Sequence, residues 1–471
     1  MDLYINNVGI VSDSNIKLNG LTVITGENNS GKSTVGKALS SVISAVKNID
    51  EVALNDKINY SIKNLEKVFE DLFLYVFVKY DKFYDKFAHE YPILFNSFRR
   101  QDISVYNIND LKIHINKYIE ELYRFEIYVS KDKDMIKLFS HLNENYNLKI
   151  KNAIISLEKV LKLLDEDQTL EKYAKQKISD ALNIEFSDQI APVRYLDRES
   201  SFKIIDNNNT IFDINISDKK ISNKLIWKRN NWDCFYINDI NVLDELSNYK
   251  NKNRKELREY RGAYNLDIFE NFIMPNKKYN HKDKLLEALL EEVSTFESQV
   301  LEEEYKDFIA KIDRAFSEEI VYLDGEFVCK SNKLNLKNLA TGSKMFAILR
   351  LLLKKGKLNS NTILVLDEPE NHLHPEWQLL LADFITKLIK EKEIKVLVTT
   401  HSPTFVFALE TMSKKYKMED IANYYQSLRK EDKYLVSLKE VSGDDISNIH
   451  YHLNKPYFDI DDLKNEISEE K

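Results

Sequence analysis

The sequence is short of the residues that staple a chain, break its helices or carry it into a membrane. Only two cysteines, Cys234 and Cys329, occur in 471 residues. They lie far apart without metal-type spacing, so they read as inert core residues and a reducing cytoplasm is the expected compartment. No apolar stretch is long enough to span a bilayer, so no transmembrane helix is expected. Met1-Asp2-Leu3-Tyr4 lacks a basic region followed by an apolar one, so no secretory leader is expected either. A basic excess is also missing. The formal net charge is −8, which argues against a global nucleic-acid footprint and leaves room for a local patch. Glycine disappears after Gly36 and does not return before Gly262, with only Pro92 and Pro192 in between. So few breakers predict long helices. Against these absences, 43% of the residues are hydrophobic, enough for full cores, and the length suits two or three folding units.

What is present begins with one glycine-bearing stretch, Gly26-Glu27-Asn28-Asn29-Ser30-Gly31-Lys32-Ser33-Thr34. It fits the phosphate-binding pattern G-x-x-x-x-G-K-[ST] at every specified position. A buried strand is expected before it, at Leu21 to Thr25, and a helix after it, from about Val35. In that setting the glycines let backbone N–H groups wrap phosphate oxygens, and the helix start adds its dipole. Lys32 can then reach the β- and γ-phosphates, and the Ser33 hydroxyl can ligate Mg²⁺. A chance glycine-rich turn is the bland alternative, and the strand and helix on either side speak against it.

Further along, Thr362 to Leu366 is an apolar run that ends in Asp367-Glu368-Pro369. A central parallel strand buried on both faces reads this way. Asp367 is placed to hold Mg²⁺, and Glu368 to deprotonate a water that attacks the γ-phosphate. The next apolar run, Ile394 to Val398, leads to Thr399-Thr400-His401-Ser402-Pro403. That puts His401 at a neighbouring strand end, where ligand sites of parallel sheets lie, as a γ-phosphate sensor. A lone histidine is otherwise more often structural. His372 and His374 form an H-x-H, but no third ligand of suitable spacing accompanies them.

The rest is read more coarsely. Leu3 to Val11 and Ile16 to Ile24 read as two strands. Apolar stripes at Ile62, Leu65, Phe69, Leu72 and at Leu111, Ile115, Tyr118, Leu122 read as helix faces. Ile150, Ile154, Leu157, Leu161 and Leu164 keep a rhythm that suits an antiparallel helical hairpin or short coiled coil. Such a subdomain packs on itself or serves as a lever or partner-docking arm. Short strands are expected at Val193 to Leu196, Phe202 to Ile205, Thr210 to Ile216 and Trp232 to Ile237. A helical stretch follows at about Asp283 to Ser317. A hairpin, Ile320 to Leu323 and Glu326 to Cys329, turns at Asp324-Gly325. The acidic tail after Asp459 is expected to be frayed or loosely docked.

Asn338-Leu339-Ala340-Thr341-Gly342-Ser343-Lys344, followed by a helix from Met345 to Leu353 and then by Leu366 to Gln378 and Thr400-His401-Ser402-Pro403, resembles the ABC-type ATPases related to SMC and RecF proteins. The nearer resemblance is to the bacterial branch with the OLD-family nucleases and the Septu-type and retron-associated defence ATPases. It covers roughly residues 1–45 and 335–410. It implies an α/β ATPase head, with a mixed, largely parallel sheet, flanking helices and a large helical insertion. The expected boundaries are 1–48 for the first lobe with the phosphate loop, 49–185 for the insertion and 186–334 for a strand-rich and helical remainder. The signature and switch-histidine lobe then takes 335–410, and C-terminal strands and an acidic tail take 411–471.

The same resemblance implies that two heads dimerise head to tail on ATP and Mg²⁺. The Thr341-Gly342-Ser343 segment of one head then closes over the nucleotide of the other. It further implies that Gln189, in Phe186-Ser187-Asp188-Gln189-Ile190, links Mg²⁺ to the insertion. The family's signature serine falls at Ala340, which points to slow hydrolysis, with Thr341 as the nearest substitute hydroxyl. The Cys-x-x-Cys hook of long-armed relatives is missing. So is room for a nuclease domain in the seventy or so residues after His401. Three functions therefore stay in view. One is an ATP-driven switch that controls a separately encoded effector, expected to be a nuclease, in antiphage defence. Another is a DNA-maintenance ATPase, and the third is a nucleotide-binding scaffold with little turnover.

Overall fold

The computed structural model describes residues 1–74, 87–96, 107–133, 136, 146–165, 170–195, 197–222, 225–228, 231–246, 248–249, 280–291, 293–310, 320–323, 326–329, 341–430, 434–441 and 446–469. The chain divides into two compact units. One comprises residues 1–47, 174–254 and 278–471, and the other 48–173 with 255–277.

The first unit holds two larger sheets and a separate hairpin. Strands β1 (Asp2–Asn6), β2 (Ser14–Lys17) and β3 (Leu21–Thr25) open the chain. The apolar run from Ile16 to Ile24, read above as one strand, is therefore two. The chain turns at Gly20, whose φ is +77°, and β2 and β3 enter different sheets. β1 pairs antiparallel with β2 and with β4 (Ser200–Asp206). β4 continues into β5 (Asn209–Ser217) through Asn207 and Asn208, both at positive φ, as asparagines in a tight hairpin tolerate. Val193–Tyr195, expected as a strand, is a 3-10 turn just after Pro192. Two short strands, β6 (Lys220–Ile221) and β7 (Ile226–Trp227), finish this antiparallel sheet.

The other large sheet runs in the order β14-β13-β3-β12-β11-β8. Its members are β8 (Asp233–Ile237), β11 (Thr362–Asp367), β12 (Lys395–Thr400), β13 (Ala422–Arg429) and β14 (Val436–Val441). All neighbours are parallel except β13 and β14. β3, β11 and β12 are buried along nearly their whole length, as continuous apolar runs covered on both faces must be. Helices α1 (Lys32–Val46), α9 (Thr341–Lys354), α10 (Pro375–Lys392) and α11 (Pro403–Lys415) belong to this unit. Phe346, Leu349, Leu381, Ile385 and Phe405 share one core with Val23, Leu364, Leu366, Val396 and Val398. The expected hairpin forms as β9 (Ile320–Leu323) and β10 (Glu326–Cys329), and its turn lies outside the described residues. The expected helical stretch is two helices, α7 (His281–Leu290) and α8 (Thr295–Glu304). The acidic tail is the end of a third, α12 (Ile446–Glu469), exposed over residues 455–464.

The second unit is helical where described. α2 (Ile49–Phe69), α3 (Pro92–Asn96), α4 (Ile108–Lys131) and α5 (Tyr146–Asp165) enclose a core of their own. Leu111, Ile115, Tyr118 and Leu122 point into it from one side and Ile150, Ile154, Leu157 and Leu164 from another. Ion pairs or hydrogen bonds join Lys112 to Asp165, Tyr123 to Glu158 and Glu126 to Lys151. One residue number rises as the other falls, so α4 and α5 form the antiparallel hairpin that their spacing suggests. Helix α6 (Leu170–Glu185) follows in the chain.

Candidate nucleotide site

Three parallel strands end together. Thr25 of β3 is in register with Thr400 of β12, and Thr399 of β12 with Asp367 of β11. Because β12 lies between the other two, His401 leaves the sheet between the phosphate loop and Glu368. The loop after β3 carries three positive backbone angles: Gly26 has φ +151°, Asn29 +57° and Gly31 +77°, the kind of turn that lets loop N–H groups face an anion. A Cβ on Gly31 would come within 2.8 Å of Val11, so both backbone angle and space demand glycine. Glu27, Asn28 and Asn29 are exposed, while Ser30 is buried, its hydroxyl oxygen without a hydrogen-bond partner among the described residues.

Lys32 opens α1 and is nearly fully buried. Its Nζ donates to the carbonyls of Gly26 at 3.0 Å and Glu27 at 2.8 Å. Burial holds its pKa below the ordinary lysine value, against the pull of Glu368, Asp367 and Glu370. Ser33 Oγ donates to Asp367 Oδ1 at 3.0 Å, and Tyr236 Oη donates to Oδ2 at 2.7 Å. Thr399 Oγ1 also donates to Oδ1. Glu368 has φ +50°. Its Oε1 lies 3.1 Å from His401 Nδ1 and 3.9 Å from Lys32 Nζ, and its Oε2 accepts from Asn371 at 3.0 Å. Burial alone would raise the Glu368 pKa, but Asn371, His401 and Lys32 outweigh it and hold the carboxyl below its usual range. Glu368 is therefore ionised at neutral pH, the state a proton acceptor needs.

The family model for an AAA ATPase domain matches residues 1–406. The chain belongs to the AAA ATPase domain family. A curated relative, the "Retron Vc95 probable ATPase" of Vibrio cholerae serotype O1 biovar El Tor, is 26% identical over 117 residues, 23% of this chain and 22% of that protein. The match thus spans about a fifth of that relative's length. Distant structural likenesses include the Smc head bound to the C-winged helix domain of ScpA. It has TM-score 0.39 and 9% identity over 95% of this chain and 98% of that one. Another is the Smc head with an extended coiled coil bound to the C-terminal domain of ScpA from Pyrococcus furiosus. It has TM-score 0.36 and 10% identity over 98% of both chains.

For a member of this family the residues fit the ligands its chemistry implies. The buried Lys32 cation, the orphaned Ser30 hydroxyl and the loop N–H groups suit a polyphosphate. Ser33 and Asp367 supply adjacent hard oxygens of the kind Mg²⁺ takes. Other expected site residues lie elsewhere. Gln189 has an exposed side chain just past the positive-φ pair Ser187 and Asp188. Its neighbour Ile190 accepts from Gly9 N–H at 2.6 Å, and Gly9 packs on Thr34. This brings the segment beside the start of α1, but no described contact joins Gln189 to Ser33 or Asp367. Thr341, Gly342 and Ser343 begin α9. A Cβ on Gly342 would meet the His372 carbonyl at 2.8 Å, so this turn packs on the loop after Glu368. Asn338, Leu339 and Ala340 lie outside the described residues. His374 caps α10, its Nδ1 accepting from Glu376 N–H at 3.5 Å.

Sequence reading passed over Tyr236, Thr399, Asn371 and Glu370. Tyr236 was legible only as part of a strand. Its role depends on β8 lying next to β11, which no local pattern reveals. Burial and Asp367 push the Tyr236 phenol well above its ordinary range, so it stays a donor.

Proposed function

We propose that this chain is an ATP-driven switch. It hydrolyses ATP, two copies close head to tail over the nucleotide, and the closed pair regulates a separately encoded nuclease in bacterial antiphage defence. The observation that carries the ATPase reading is the convergence of Lys32, Ser33, Asp367, Glu368 and His401 on one end of the parallel sheet. The defence role, and with it the separately encoded effector, leans on the relative that is called a retron probable ATPase.

Each residue's part follows from its place. The loop amides and Lys32 bind the phosphates, and Lys32 leaves its carbonyl partners to do so. Mg²⁺, when bound, would neutralise charge on the phosphates and be held by Ser33 and Asp367. Tyr236 and Thr399 fix the Asp367 carboxylate. Glu368 takes the proton of the attacking water, and His401 steadies both Glu368 and the terminal phosphate. Thr341 to Ser343 present a helix start, which favours an anion, to the nucleotide of a second copy.

The test is nucleotide binding and turnover by two variants. Lys32→Ala should lose ATP binding. Glu368→Gln should bind ATP and lose roughly a hundredfold or more in turnover, in keeping with loss of a positioned base. Turnover at the unmutated rate in Glu368→Gln would remove Glu368 as the base.

A further inference from the structure

Glu368 and His401 sit on different loops, yet their side chains meet at 3.1 Å. On the sheet side a backbone bond, Glu368 N–H to the Thr399 carbonyl at 2.9 Å, ties the loops. Two further side chains tie them beyond it. Glu370 is almost fully buried, and its Oε1 accepts from the Thr400 hydroxyl. That hydroxyl in turn accepts from Ser402 N–H at 3.0 Å. The peptide that follows His401 is thus held by the hydroxyl of the residue that precedes it, and that hydroxyl is held by Glu370. From α10, Gln378 bridges the same loops. Its Nε2 donates to the Leu373 carbonyl at 3.1 Å and its Oε1 accepts from Ser402 Oγ at 3.0 Å. Ser402 also caps α11 through Phe405 N–H, so the His401 loop is anchored to two helices.

We propose that Glu370 and Gln378 are positioning residues of the hydrolytic centre, stapling the loop that carries Glu368 to the loop that carries His401. This rests on the hydrolytic reading of the site above. Glu370 touches neither nucleotide nor water in this role. It acts through Thr400, and its charged neighbours are Glu368, His401 and Lys32. Burial leaves the Glu370 Oε2 without a hydrogen-bond partner from another described residue, a cost that an ordinary loop carboxylate avoids by facing solvent. An aliphatic residue would fill the space without that cost but would release Thr400.

The experiment measures kcat, KM and fluorescent-ATP affinity for the full chain and for Glu370→Ala, Glu370→Gln, Thr400→Val and Gln378→Ala. ATP affinity should stay close to that of the unmutated protein, because the phosphate loop is untouched. Loss of either staple should lower kcat by about ten- to a hundredfold, the scale of an ångström-level misplacement. Glu370→Gln keeps an oxygen for the Thr400 hydroxyl and should recover most of kcat. Gln378 is only half-buried, so Gln378→Ala keeps the test alive if Glu370→Ala does not fold. An unchanged kcat in Gln378→Ala, or a Glu370→Gln protein as slow as Glu370→Ala, overturns the proposal. Unmutated protein that binds ATP without turning it over removes the hydrolytic reading itself, a result the binding measurement separates from the other two.

Discussion

At the scale of the residue, two carboxyls two positions apart behave in opposite ways. Glu368 is drawn below its usual range by Asn371, His401 and Lys32 despite burial, whereas burial pushes Glu370 up to about 7. The signs separate. Glu368 contributes stability that is present above its ordinary pKa and lost as pH falls through its lowered one. Glu370 keeps a proton in the folded chain that the unfolded chain has already released, so stability falls as pH rises from the ordinary value of 4.5 to about 7. The slope of that loss is at most about 1.4 kcal/mol per pH unit. Glu370→Gln removes it. Melting curves should show the variant gaining on the unmutated protein as pH rises from 4.5 to about 7, the window the linkage sets. A difference independent of pH would contradict the buried-acid account. Tyr236 gives a second residue-scale prediction. Tyr236→Phe leaves Asp367 Oδ2 without its donor and should raise the Mg²⁺ concentration needed for half-maximal turnover about tenfold, as for other supports behind a metal ligand. A magnesium titration identical to that of the unmutated protein would contradict it.

At the scale of the element, α1 would join phosphate and metal binding in the proposed ATPase, because it starts at Lys32 and Ser33 and lies close on the sheet. Gly36 allows that approach, since a Cβ there would meet Val365 Cγ1 at 2.7 Å and Tyr236 Cε2 at 2.9 Å. Gly36→Val should therefore cost about 1–3 kcal/mol by overpacking and also weaken Mg²⁺–ATP binding, because α1 or Tyr236 must move. Thermal unfolding and an ATP titration on the same sample check both effects. Elements are also where sequence reading divides. The Leu21–Thr25, Thr362–Asp367 and Lys395–Thr400 strands were legible because central parallel strands are continuous apolar runs with diagnostic residues at their ends. The break at Leu18 to Gly20 was not, because apolar residues on both sides conceal a change of sheet. Val193 to Leu196 misled for a related reason: a short apolar run beside a proline fits a turn as well as a strand.

At the scale of the whole molecule, each of the two units has its own core. The stripes that defined the helices of the second unit were legible at Leu111 to Leu122 and Ile150 to Leu164, since burial on one helix face leaves a periodic mark. The candidate site was legible in its motif residues, and the side chains that pack behind them, Tyr236, Thr399, Glu370 and Gln378, were not. Those act through partners brought near by strand order and helix packing, as Tyr236 and Asp367, 131 positions apart, show. No helix among the described residues is long and apolar enough to cross a membrane. The proposed joining of two heads by ATP through the Thr341 to Ser343 turn would be seen in the mass in solution of the Glu368→Gln protein with and without ATP and Mg²⁺. The account predicts a doubling that appears only with nucleotide and disappears when Lys32→Ala is added. A mass indifferent to ATP, in a protein shown to bind it, would contradict the switch.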